Sequence, residues 1–138
     1  MPPVSHEARL RVRYAETDQM GVVYYANYLV WMEVGRVEYS KAAGFNYRDM
    51  ERDDGVAMAV AEAQCRYRAP ARFDDEVIVR TWIARASRRL VEFRYEMRRA
   101  ADGVVLATGS STHVFCGTDL RPARLPAKYC PLFGIAAD

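Results

Sequence analysis

Cysteine is scarce in this chain of 138 residues: Cys65, Cys116 and Cys130 are odd in number, widely spaced and form no CxxC pair. Such a set argues against a disulfide framework or a zinc site and suits a reducing compartment, so a cytoplasmic protein is the expectation. Histidine is scarcer still. His6 stands near the N-terminus and His113 in a strand pattern, which leaves no metal-ligand cluster and no Ser-His-Asp set that the sequence brings together. No metal is expected. Lysine is almost missing, with only Lys41 and Lys128; arginine supplies the rest of a positive charge that nets to +2. A balance so near neutrality gives no case for nucleic acid, while arginine forks suit phosphate and carboxylate. No apolar run approaches a membrane span, and MPPVSHEARL has no apolar signal core. Repeats, low-complexity stretches and internal linkers are also missing, so one domain over residues 1–138 is expected.

What is present is strand patterning on either side of one long helical stretch. From Glu7 to Tyr14, Ala8, Leu10, Val12 and Tyr14 alternate with Arg9, Arg11 and Arg13, the period of a half-exposed strand. Asn46 to Asp54 reads as a short capped helix closed by Gly55. Four strand patterns follow. Ala61 to Tyr67 ends at Pro70, and PARFDDE turns the chain into Val77–Ile83. Val91, Phe93, Tyr95 and Met97 then alternate with charged residues, and Asp102-Gly103 marks a hairpin into Val104–Phe115. In that last strand Ala107, Gly109, Ser110 and Ser111 are small enough for another surface to come close. Beyond Gly117 the chain reads as irregular. One long helix set apart from a mostly antiparallel sheet makes the class α+β.

The stretch from Tyr14 to Gly44, YAETDQMGVVYYANYLVWMEVGRVEYSKAAG, organises the rest. Tyr28, Trp31, Met32, Gly35, Tyr39, Ala42 and Ala43 follow helical spacing on one face, with Glu33, Arg36, Ser40 and Lys41 largely elsewhere. Gly35 lowers helix stability by about 1 kcal/mol against alanine, which points to close packing there. Gly44 is placed to end the helix in the left-handed conformation. Asn27 is a good N-cap by residue type and fits the first turn equally well. Just ahead of the helix stands Asp18. Two readings of it are open: an Asx turn, or a carboxylate held beside the unpaired N–H groups of a helix end, where an oxyanion could be stabilised.

This order of elements resembles the hotdog fold, an antiparallel sheet wrapped around a long central helix. More narrowly, Tyr14, Asp18, Gly21, Val22, Val23, Tyr24, Tyr25, Asn27 and Tyr28 resemble the signature of acyl-CoA thioesterases of the 4-hydroxybenzoyl-CoA thioesterase and YbgC type. Tyr67, Pro70, Ala71, Asp74 and Asp75 resemble a second family turn, and Arg121-Pro122 with Leu125-Pro126 the C-terminal pattern. Glu16 stands where an Asp is usual. Tyr25 stands where the YbgC branch has histidine and the 4-hydroxybenzoyl branch has tyrosine.

The resemblance implies hydrolysis of an acyl-CoA, aromatic or short-chain, to the free acid and coenzyme A. Asp18 would be nucleophile or general base and the backbone N–H of Tyr25 the oxyanion donor. Gly21, Val22 and Val23 would line the substrate. Glu33 aligns with an acidic helix residue that meets a substrate hydroxyl, against the plainer reading of an exposed carboxylate. Arg88 and Arg89 would meet the phosphates of coenzyme A, against that of solvated strand-end charges. Coenzyme A belongs to the substrate, so no separate cofactor is expected. The expected partners are acyl-CoA and further copies of the chain, as a dimer or a dimer of dimers (a homotetramer), with sites between subunits and no nucleic acid or membrane. The competing expectations are a non-catalytic binder of acyl-CoA or acyl-carrier protein and a hotdog dehydratase.

Overall fold

The computed structural model describes residues 3–136; the ends of the expected domain, 1–2 and 137–138, lie outside the described residues. The elements are β1 (His6–Arg11), α1 (Asn27–Ala43), α2 (Tyr47–Asp54), β2 (Val56–Tyr67), β3 (Glu76–Ala86), β4 (Leu90–Arg99) and β5 (Val105–Gly117). The strands form one antiparallel sheet in the order β1-β3-β4-β5-β2. α1 lies across one face: it packs on β1 to β4, and Met32 reaches β5 at Gly109. This is the expected α+β arrangement. Strand alternation builds the core between them. Val91, Phe93, Tyr95 and Met97 of β4 point inward with Trp31, Met32 and Tyr39 of α1, all at most 1% exposed. Each such side chain contributes about 1.5–3 kcal/mol relative to exposure.

The helix ends follow their residues. Gly44 and Gly55 take positive φ (106° and 63°) and close α1 and α2. Asn46 caps α2 by accepting from the Arg48 N–H at 2.9 Å. On α1, Ser40 is buried and donates to the Arg36 carbonyl at 2.8 Å, while Ala42 is exposed, so the buried face is rotated toward Ser40 at its end. At Gly35 the crowding comes from β3: a Cβ there would lie 2.7 Å from Val79 Cγ1 and press on Thr81 Oγ1. Gly109 likewise makes room for Met32, so the surface that closes on it is the chain's own helix.

Three boundaries differ from the sequence reading. β1 stops at Arg11, and Tyr14–Glu16 is a 3-10 turn, because the Glu16 side chain accepts the Arg13 N–H at 2.8 Å and bends the chain. β2 begins five residues early, at Val56, which pairs with Gly117. A bulge between Val60 and Glu62 switches the faces there, so no single period runs through the strand. β3 continues past Ile83 to Ala86 through a second bulge.

After β5 the chain returns along α2 and ends in a 3-10 turn, Ala127–Phe133, that buries Cys130 and Phe133. Before β1, the Pro3 carbonyl accepts from the Tyr39 hydroxyl at 2.9 Å.

Candidate active site

The register gives the sheet two distinct ends. Arg11, Glu76, Arg99, Val105 and Tyr67 mark one, where α1 starts; Ala86, Leu90, Gly117 and Val56 mark the other. At the first end, residues 17–23 form a tight loop. A bridge pairs Thr17 with Val23, the Asp18 N–H donates to the Val22 carbonyl at 2.9 Å, and Gly21 turns the chain at φ 77°. Open space surrounds the position a Gly21 Cβ would take, so the angle is what favours glycine here.

Asp18 does make the Asx turn: Oδ1 accepts the Met20 N–H at 2.8 Å. Its second oxygen accepts from no described residue, and the side chain is half-buried. Val23 is buried and donates its N–H to the Ala71 carbonyl at 2.9 Å, which ties the loop to the β2–β3 connection; Val22 is half-buried.

The joint between loop and helix is made by Glu16. Its residue is 5% exposed. Oε2 accepts the indole N–H of Trp31 at 2.9 Å and Oε1 the Arg13 backbone N–H at 2.8 Å. Its carbonyl accepts the Tyr24 N–H at 2.8 Å and the Asn27 side-chain amide at 2.9 Å. Asn27 is therefore the first residue of α1, its side chain spent on Glu16, and Ala26 occupies the cap. The sequence reading marks Glu16 only as a residue that stands where an Asp is usual. The available signal was the Trp31 indole, which needs an acceptor once buried.

Around the helix mouth gathers an aromatic set. Tyr28 is buried, and its hydroxyl accepts the Ala71 N–H at 3.2 Å. Tyr67, on β2, packs edge-on to Tyr28 and Tyr25 and donates its hydroxyl to the Tyr25 carbonyl at 2.9 Å. Partial burial, and then the neighbouring Cys65, push the Tyr67 pKa up to about 12. Tyr25 is 61% exposed. Among the described residues nothing accepts the backbone N–H of Tyr25 or of Ala26. Unpaired amides at the start of a 17-residue helix carry partial positive charge. A carboxylate, free amides and exposed aromatic rings thus converge on one end of the sheet, a set able to hold a carbonyl and direct an oxygen nucleophile at it.

The other sequence candidates lie elsewhere. Glu33 is exposed and borders a cleft of about 150 Å³ between α1, α2, β2 and β5, together with Arg36, Tyr47, Glu51 and His113. His113 is buried, with Nε2 2.8 Å from Ser111 Oγ; desolvation first, and the Arg36 charge second, lower its pKa to about 4. Arg88 and Arg89 form the β3–β4 hairpin at the far end of the sheet. An 11-residue β3 separates them from Asp18 by on the order of 30 Å within the chain. Arg88 Nε donates to the Leu125 carbonyl at 2.8 Å, whereas Arg89 is exposed. Burial raises the pKa of the Cys65 thiol, which leaves little thiolate for a nucleophile. No helix among the described residues is long and apolar enough to cross a membrane.

Residues 20–106 match the thioesterase superfamily, a match that begins just past Asp18. The chain is 42% identical over 105 residues to a putative acyl-CoA thioesterase, YneP, of Bacillus subtilis, covering 76% of this chain and 75% of the relative. Among solved structures, a hypothetical protein of Thermus thermophilus superposes with a TM-score of 0.87 at 41% identity, over 94% of this chain and 95% of the other. A DHNA-CoA thioesterase from Staphylococcus aureus gives 0.85 at 34% identity, over 92% and 84%. With one antiparallel sheet packed on a long helix and a family match across most of its length, the chain belongs to the thioesterase superfamily of hotdog proteins.

Proposed function

We propose that the protein hydrolyses acyl-CoA thioesters, with Asp18 as the reacting carboxylate and the Tyr25 N–H as oxyanion donor. The single observation that carries this reading is the pairing of a half-free Asp18 carboxylate with unclaimed amides at the mouth of α1. The thioester carbonyl oxygen accepts the Tyr25 N–H. Such a donor is worth roughly 2.7–4 kcal/mol at the tetrahedral stage. Asp18 then either takes a proton from water as its oxygen adds to the carbonyl carbon, or adds directly and forms a mixed anhydride that water cleaves. In both routes the C–S bond breaks, coenzyme A departs as thiolate and is protonated by solvent, and the acid is released. A thiolate leaves without a dedicated acid, so tyrosine at position 25 in place of histidine is no obstacle.

Gly21, Val22 and Val23 frame the carbonyl, and the rings of Tyr25 and Tyr67 suit a flat aromatic or a short acyl group. Glu33 would meet an acyl hydroxyl only through its own cleft or a neighbouring subunit.

The test is release of coenzyme A in a thiol-trapping assay. Asp18→Asn is expected to lower kcat by at least about a hundredfold with no change in melting temperature or oligomeric state. Near-full activity in that variant would remove Asp18 from the chemistry. Binding of acyl-CoA without turnover by the unaltered protein would make it a binding module instead.

A further inference from the structure

The peptides that open α1 are not held alike. The Tyr24 carbonyl accepts the Asn27 N–H at 2.9 Å, and the Ala26 carbonyl accepts the Leu29 N–H at 3.1 Å. Between them, the bond from the Tyr28 N–H to the Tyr25 carbonyl is stretched to 3.4 Å. The short bond onto that carbonyl comes from outside the helix, from the Tyr67 hydroxyl at 2.9 Å. The peptide joining Tyr25 to Ala26 is therefore held by a side chain of β2.

Tyr67 is itself firmly seated. Its backbone pairs with Ala107, and the next two residues, Arg68 and Ala69, donate their N–H groups to the Leu106 carbonyl at 2.9 and 3.1 Å. The end of β2 is thus pinned to β5. The Tyr67 ring stands edge-on to Tyr28 with centroids 5.1 Å apart, and Tyr28 lies against Trp31, whose indole is bound to Glu16. Across neutral pH the phenol keeps the proton it donates, since its pKa is pushed up to about 12.

In a trans peptide the carbonyl and the N–H point in opposite directions. A hydroxyl fixed on the Tyr25 carbonyl therefore fixes the Ala26 N–H as well, aims it away from the body of the helix and polarises it, because hydrogen bonds in series strengthen one another. Among the described residues nothing accepts that N–H, or the Tyr25 N–H one peptide earlier, whose own plane is anchored by Asn27. Two adjacent donors on anchored planes are preorganised for a negative oxygen.

We propose that Tyr67 is a positioning residue for thioester hydrolysis: its hydroxyl holds the Tyr25–Ala26 peptide so that the Ala26 N–H serves as a second donor to the oxyanion, beside the Tyr25 N–H. The inference rests on the thioesterase reading and deepens it. Tyr67 exchanges no proton with the substrate; its effect passes through the peptide.

The test variant is Tyr67→Phe, which deletes the hydroxyl and keeps the ring. Release of coenzyme A is expected to show kcat lowered about three- to tenfold, the worth of one neutral hydrogen bond, with KM within about twofold. The pH profile of kcat should keep its shape. A spectroscopic readout separates this role from a merely structural one. A ketone analogue of the substrate, with CH2 in place of the thioester sulfur, is bound to Asp18→Asn protein with and without Tyr67→Phe, and its carbonyl stretch is read by isotope-edited infrared spectroscopy. Two donors lower that frequency more than one, so loss of the hydroxyl should move it back toward the free value. An unchanged frequency or an unchanged kcat would overturn the proposal. So would a raised KM with kcat kept, which would give the hydroxyl to substrate binding. Placing lactic acid at position 26 turns the Ala26 N–H into an ester oxygen: kcat should fall, and Tyr67→Phe on that background should lower it little further. Full additivity would show that Tyr67 does not act through Ala26. If the unaltered protein binds the analogue but turns over no thioester, the thioesterase reading fails, while the carbonyl shift still decides whether Tyr67 holds the helix mouth.

Discussion

Glu16 shows how one carboxylate can set the geometry of another. It is buried, yet both oxygens are occupied, by Trp31 and by the Arg13 backbone, and its carbonyl holds Tyr24 and Asn27. Glu16→Ala leaves the Trp31 indole unpaired in the core, so a loss of about 1–3 kcal/mol in urea unfolding is expected. Because Asp18 hangs from this joint, kcat should fall too, and Glu16→Asp should restore part of each. A normal kcat in Glu16→Ala would show that the joint does not position Asp18. His113 makes a second prediction at this scale. Its folded pKa, about 4, lies below the ordinary 6.5 because burial disfavours the charged ring. Between those values the unfolded chain binds the proton and the native one does not, so stability is fully present above about 6.5 and falls as pH drops toward 4. In His113→Gln the slope of the urea midpoint against pH should be shallower across that window. An unchanged slope would assign it to other groups.

At the scale of elements, α1 is seated by Gly35. The strand beneath leaves no room for a methyl group, since Val79 and Thr81 fill the space. Gly35→Ala gains helix propensity of about 1 kcal/mol, but overpacking against β3 costs about 1–3 kcal/mol. A net loss of stability is expected by urea denaturation; a gain would mean that α1 shifts on the sheet without penalty. The bulge in β2 acts at the same scale. It lets Val56 and Met58 serve the core while Tyr67 turns toward Tyr25 and Tyr28, so one strand joins core and site.

For the whole molecule, the open feature is the sheet edge. β2 is an outer strand of 12 residues with Val60 59% exposed, and Tyr25, packed on Tyr67 of that strand, and its neighbour Tyr24 expose more apolar surface beside it. A long uncapped edge beside apolar surface favours pairing with another chain, and a second copy there would enclose the helix mouth. Sedimentation is expected to show more than a monomer. Val60→Lys, which puts a charge on the edge, should shift the protein toward monomer and lower turnover. A monomeric, fully active unaltered protein would end this proposal.

The sequence by itself determined the class, the long helix with its Gly44 end, the clean alternation of β4 and the loop that carries Asp18. These rest on periodicity and turn chemistry, which act between residues a few positions apart. Only the tertiary structure decided that Glu16 rather than Asn27 organises the start of α1, that Gly35 yields to β3, and that Arg88 and Arg89 stand at the opposite end of the sheet from Asp18. Each depends on which strands become neighbours and at what register, and no local pattern in the chain encodes that distance.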